Sequence, residues 1–152
     1  TPPSGKAYTY NSGTMLSGCA DLYRVTRMDN YANDAKDLVA ATFSAFAKKD
    51  ADVEGYYSYP LSGFSTWFND VLLRGYLAAE NQGIDAKVSI DSYQDNLDFA
   101  WAKYRMDGIL PVNLLLGWNL SSASNNVEAM FSFTYASEYA MLANYQFTNT
   151  SE

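Results

Sequence analysis

Histidine is absent from this chain, and cysteine occurs once, as Cys19, among 152 residues. Without histidine, the commonest metal ligand and the commonest neutral-pH general base are both missing, and no Ser-His or Cys-His nucleophile can be assembled. One cysteine excludes an internal disulfide and any Cys-x-x-Cys metal site. The expected cofactors and metals are therefore none. Basic residues are also few. The 10 Lys plus Arg stand against 17 Asp plus Glu, a net charge of -7 that repels a phosphate backbone, so nucleic acid is not an expected partner. No apolar run approaches the roughly 20 residues of a membrane span. Glycine-rich phosphate loops are missing, and no two acidic residues are neighbours in sequence. Any chemistry in this chain falls to isolated carboxylates or to tyrosine.

What the chain does have is apolar and aromatic content: 48% hydrophobic residues, with 13 Tyr, 8 Phe and 3 Trp. A chain of this length can bury about 70% of its unfolded surface, enough for one core, so residues 1–152 read as a single domain or a piece of one. The start, Thr1-Pro2-Pro3-Ser4-Gly5, carries neither an initiator Met nor a signal sequence. It is expected to lie inside a longer gene product or after a processing site.

Apolar spacing predicts five helices and no sheet. In the second, Ala35, Leu38, Val39, Thr42, Phe43 and Phe46 share a stripe opposed by Asn33, Asp34, Lys36 and Asp37. In the fourth, Ile90, Tyr93, Leu97, Ala100, Trp101 and Tyr104 oppose Gln94, Asp95, Asn96, Asp98 and Lys103. The first (Thr14 to Arg24), third (Trp67 to Ala79) and fifth (Val127 to Ala143) are apolar nearly all round and are expected to be buried on both sides. The order is buried, half-exposed, buried, half-exposed, buried. That alternation suits a toroid of inner and outer helices better than a simple bundle. Arg27 to Asn30 makes a short turn and Gln82-Gly83 a helix stop, whereas Lys48 to Gly63 and Asp107 to Asn125 are long loops, the usual place for binding residues.

Three groups stand out. Tyr8-Thr9-Tyr10-Asn11-Ser12-Gly13 precedes the first helix; it is either a cap supplied by Asn11 or Ser12 with two packing tyrosines, or a cleft edge where Tyr10 and Asn11 meet a polar ligand. Asp70 and Arg74 are four apart on an apolar helix and can pair, as a structural pair or as a polar spot on a cleft wall. Tyr56, Tyr57, Tyr59, Phe64, Trp67 and Phe68 crowd the approach to that helix, where rings either fill the core or stack on sugar C–H faces.

The run Tyr8 to Gly18, followed by Ala20-Asp21-Leu22-Tyr23-Arg24-Val25-Thr26, resembles the aromatic-Thr-Tyr-Asn-x-Gly motif and following helix of glycoside hydrolase family 76, the endo-α-1,6-mannanases. Phe68-Asn69-Asp70-Val71-Leu72-Leu73-Arg74-Gly75-Tyr76-Leu77 resembles that family's Phe-Lys-Gly-Ile-Phe-x-Arg-x-Leu-Ala helix, with Asn69-Asp70 in place of Lys-Gly and, upstream, Ser12 in place of Gln. Val127 to Leu142 is similar to its closing helix.

The resemblance implies an all-α fold, an α/α toroid of helical hairpins of which this chain supplies about the last five helices. It implies a glycan partner, α-1,6-mannan or a related polysaccharide, and an extracellular, periplasmic or cell-surface location. Tyr10, Asn11, Arg74 and Phe68 become the expected substrate-binding residues. It also places the two catalytic aspartates in the earlier half of the domain, so this chain is expected to hold no catalytic residue and to need either that half or self-association. Two rival readings are a noncatalytic carbohydrate-binding or surface protein on the same toroid, and a helical interaction module.

Overall fold

The computed structural model describes residues 7–61, 65–118 and 129–149. Five helices carry the fold: α1 (Thr9–Thr26), α2 (Asp29–Phe46), α3 (Ser65–Glu80), α4 (Lys87–Lys103) and α5 (Ala129–Asn149). The only sheet among the described residues is a two-residue antiparallel pairing of β1 (Lys48–Lys49) with β2 (Tyr57–Ser58), Lys48 opposite Ser58. The all-α class is as expected. No described helix is long and apolar enough to cross a membrane.

The helices form two layers. α1, α3 and α5 lie side by side with α3 in the middle; α2 packs behind α1 and α3, and α4 behind α3 and α5. Each hairpin is closed by a chemically distinct stop. Arg27 turns left-handed (φ 57°) and returns its N–H to the Tyr23 carbonyl at 2.8 Å, ending α1 two residues before α2 begins. Gly83 (φ 76°) ends the α3 turn, with the Ile84 N–H on the Ala79 carbonyl at 3.1 Å. Glu80 then accepts the Ala86 N–H at 2.6 Å, fixing where α4 starts.

The closest approach is between α1 and α3. Thr9, Gly13, Leu16 and Ala20 form the buried stripe of α1, and its small members let the two backbones touch. A Cβ on Gly13 would overlap the Val71 carbonyl and lie 2.7 Å from the Leu72 Cα; one on Gly75 would lie 2.8 Å from the Gly13 carbonyl oxygen. Leu16, Leu72, Leu73, Tyr76, Ile90, Leu97 and Leu142 then fill the interior with essentially no exposed surface. Each stabilises the fold by about 1.5 to 3 kcal/mol as an upper estimate.

Four expectations change. α1 begins at Thr9 rather than Thr14, so Tyr10, Asn11 and Ser12 lie inside its first turn, and the N-cap is Tyr8, whose side chain makes no capping bond. The reason is tertiary: Thr9 is buried and Gly13 meets the α3 backbone, and that packing extends the helix backwards through residues of indifferent propensity. Second, α1 and α5 are not covered all round. Met15, Leu22 and Val25 are exposed along one face of α1, and Phe133 and Phe147 on α5. Third, Asn96 is buried although its neighbours Asp95 and Asp98 are wet, because it stands three residues after Tyr93 on the inward stripe. Trp101, assigned to that stripe, is exposed at its edge. Fourth, the loop aromatics do not gather in one place, as described below.

Candidate functional site

The long loop after α2 is tied down by buried amides. The Asn96 side chain donates to the Tyr57 carbonyl at 2.8 Å and the Asn69 side chain to the Pro60 carbonyl at 2.9 Å, while the Tyr59 and Ser92 hydroxyls meet at 2.8 Å. Tyr59 stacks on Tyr93, Tyr57 on Phe43 and Tyr56 on Phe99, with ring centres 4.4 to 5.0 Å apart. Three loop tyrosines therefore pack on α4 and α2 and do not line the approach to α3. Phe64 lies outside the described residues.

Behind this loop is a cavity of about 40 Å³, bordered by Tyr59, Asn69, Tyr93, Asn96, Tyr135 and Glu138. It has room for a few waters and no sugar ring. Glu138 is buried, and loss of solvent, reinforced by the charge of Asp70, pushes its carboxyl well above the usual range. Glu138 is not among the sequence-predicted site residues. Its position three residues after Tyr135 and four before Leu142 puts it on the inward stripe of α5, a spacing signal that charge alone obscures.

The four expected substrate residues fall into two places. Tyr10 and Phe68 meet at the N-terminal ends of α1 and α3, ring centres 4.6 Å apart; Tyr8 reaches Phe68 at 5.9 Å and Trp67 at 5.8 Å continues the row. Asn11, next to Tyr10 in the same first turn of α1, is exposed. Arg74 is six residues beyond Phe68, about 120° further round α3, and therefore faces α5 rather than α1. Tyr10 and Phe68 share one aromatic row, and Arg74 belongs to a separate groove.

That groove, about 470 Å³, runs between α3 and α5. Trp67, Asp70 and Arg74 line one side at i, i+3, i+7; Met130, Phe133, Thr134 and Ser137 line the other at i, i+3, i+4, i+7. The expected ion pair is formed, Arg74 Nη2 to Asp70 Oδ2 at 3.2 Å, but it is lopsided: the Asp70 side chain is 4% exposed and that of Arg74 60%. Burial raises the Asp70 carboxyl, and the Ser137 hydroxyl and the Arg74 guanidinium draw it part of the way back. Trp67 bridges the two places, since it borders the groove and touches Phe68. No group of three or more His, Cys, Asp or Glu among the described residues is placed to hold a metal ion.

The family model for glycosyl hydrolase family 76 matches residues 4–142. The chain belongs to that family. It is thus a member of a family of glycoside hydrolases, and the expected family and fold class are both met. No curated protein and no solved structure gives a significant match. Within family 76, residues 4–142 take in the aromatic row, the α3–α5 groove and most of α5.

Proposed function

We propose that this family 76 chain forms one wall of a cleft that takes α-1,6-linked mannan or a related α-mannoside, with Tyr10, Asn11, Phe68 and Arg74 turned toward the glycan. The observation that supports the reading is the row Tyr8, Tyr10, Phe68 and Trp67 at the N-terminal ends of α1 and α3, in which Trp67 stays half exposed instead of entering the core. Aromatic faces at a helix end, with an exposed amide beside them, suit the C–H faces and hydroxyls of a sugar chain.

The reading includes a division of labour. The resemblance to family 76 puts two neighbouring catalytic aspartates in the earlier half of the domain, and no two acidic residues adjoin in this sequence, so in this reading the catalytic carboxylates come from outside this chain. The exposed Met15, Leu22 and Val25 of α1 and Phe133 of α5 give such helices, or a second copy, an apolar seat. The substrate class points to work outside the cytoplasm, at the cell surface, in the periplasm or beyond.

The test is Asn11→Ala in the intact protein, assayed on α-1,6-mannan. Turnover should fall while the melting temperature holds, because Asn11 is exposed and lies inside the first turn of α1 rather than at its N-cap, which is Tyr8. Unchanged turnover would remove Asn11 from the cleft. Glycan binding without hydrolysis by the intact protein would favour a carbohydrate-binding role on the same fold.

A further inference from the structure

The cavity behind the loop at 50–61 has an uneven wall. Glu138 borders it, buried, and none of the ion pairs among the described residues includes it. Arg74, the basic residue of α3, is held by Asp70 and stays largely at the surface. The titratable groups that face Glu138 are Asp70 from α3, Tyr59 from the loop, Tyr93 from α4, and Tyr135 and Tyr139 from α5 itself. None brings a positive charge.

The hydroxyl donors around it are already spent. Tyr93 Oη donates to the Asn69 carbonyl at 3.1 Å, Tyr135 Oη to the Val112 carbonyl at 2.7 Å and Tyr139 Oη to the Leu97 carbonyl at 3.0 Å. The Ser92 hydroxyl donates to the Ser89 carbonyl at 2.7 Å, which makes Tyr59 the donor in its 2.8 Å bond to Ser92. The Asn69 and Asn96 amides hold the Pro60 and Tyr57 carbonyls, and their own Oδ1 atoms have no donor among the described residues. The wall is therefore rich in acceptors. A neutral carboxyl, which carries a donor, suits it better than a carboxylate, which only accepts. Loss of solvent, with the charge of Asp70, accordingly keeps the proton on Glu138 well above the usual carboxylate range.

We propose that Glu138 is a proton-operated lock on the loop at 50–61: neutral, it leaves the loop's three ties to α3 and α4 in place; ionised, it draws the Tyr59 hydroxyl and the Asn69 and Asn96 amides toward itself, and the loop lifts off. Those three groups make the ties, and all three border the cavity with Glu138. A hydrogen bond to a carboxylate is roughly twice as strong as one between neutral partners, so the competition goes to Glu138. At about 40 Å³ the cavity admits only a few waters to take up the charge instead. The loop is thus closed at acid pH and opens as pH rises through the folded-state value of Glu138. The lock is independent of what the chain binds.

The experiment is hydrogen exchange, read by mass spectrometry on the full chain and on Glu138→Gln from about pH 4.5 to 8, starting near the value of an exposed glutamate. Glutamine keeps the shape and neutrality of the protonated side chain, and comparison at equal pH cancels the intrinsic pH dependence of exchange. Peptides covering 50–61 should exchange equally in the two proteins at the lower end and about tenfold faster in the parent at the upper end, since each pH unit beyond the folded value is tenfold in the open-to-closed ratio. Peptides from α3 and α4 should not differ. A ¹³C titration of the glutamate carboxyls supplies a second readout: the signal missing from the variant is Glu138, and its midpoint should coincide with loop opening. If the variant opens with pH as the parent does, or Glu138 titrates while the loop stays closed, the lock is overturned. Equal acceleration in α3 and α4 overturns it as well, because the charge then unsettles the whole core. So does a Glu138 that keeps its proton up to about pH 8.

Discussion

The contact between α1 and α3 predicts opposite effects for one substitution at two glycines of the same helix. Gly13 sits where the backbones meet: a methyl group there would overlap the Val71 carbonyl and stand 2.7 Å from the Leu72 Cα, and neither obstacle is a side chain that can swing away. Gly18 lies five residues on, in the same helix, with nothing within 4 Å of where its Cβ would be. Replacing either by alanine removes the same helix-interior penalty, about 0.5 to 1 kcal/mol.

At Gly18 that gain stands alone, so Gly18→Ala should stabilise by up to about 1 kcal/mol. At Gly13 it is opposed by overpacking against rigid backbone. Overpacking costs about 1 to 3 kcal/mol when side chains can adjust, and here the helices themselves must separate. The net effect of Gly13→Ala should be a loss of about 1 to 3 kcal/mol. For a chain of this size the two variants should melt roughly 5 to 15 °C apart, on opposite sides of the parent protein. Urea titration followed by helical circular dichroism measures the difference, and unchanged slopes would confirm that only stability moved. Gly75→Ala, whose Cβ would meet the Gly13 carbonyl oxygen at 2.8 Å, should repeat the loss, and the double variant should cost less than the sum because helices already forced apart accommodate the second methyl. If Gly13→Ala melts at or above the parent, the helices do not cross there and the packing argument fails.

Other outcomes follow from the buried polar groups. Glu138 binds its proton more tightly in the folded state than an exposed glutamate does, so the folded chain holds more protons once pH passes the unfolded value of about 4.3 and stability falls as pH rises from there toward the folded value. Glu138→Gln should flatten the melting temperature over pH 5 to 8 and raise it at the upper end; an unchanged slope would show that Glu138 is not the group responsible. Asn96→Ala removes the donor that holds the Tyr57 carbonyl and should cost about 1 to 3 kcal/mol, with faster proteolysis in the loop at 50–61 as a second readout. The 152-residue chain alone should show no mannan hydrolysis, and measurable turnover would place a catalytic carboxylate pair within it.

The legibility of the fold tracks the kind of signal each element carries. α2 and α4 were readable because one face of each is charged, and Asn33, Asp34, Lys36 and Asp37 are indeed exposed. The hairpin stop at Gly83 was readable because a left-handed residue after an apolar helix leaves few alternatives to glycine. The start of α1 was not, because Tyr10-Asn11-Ser12 has no strong helix former; what makes it helical is contact with α3, some 60 residues away, and no local rule contains that. Asn96 and Glu138 were misplaced or missed for a different reason. Both lie at the spacing of the buried stripe, where polarity argues for solvent and position for the core; a polar residue that holds a loop or borders a cavity follows its position.

The same reasoning explains why Phe68 and Arg74 did not come together. A motif written along a line hides the rotation between its members: six residues on a helix are about 9 Å apart along the axis and about 120° apart around it, so the two must serve different neighbours. Phe68 faces α1 and Tyr10; Arg74 faces α5, with Asp70 beneath it and Trp67 seven residues back on the same side. Trp67 touches both surroundings. A sugar chain long enough to lie on the aromatic row and enter the groove has to pass over Trp67. Its removal should therefore weaken a tetrasaccharide by more than it weakens a disaccharide that fits either place alone. Equal losses for the two ligands would mean that the row and the groove are not parts of one binding surface.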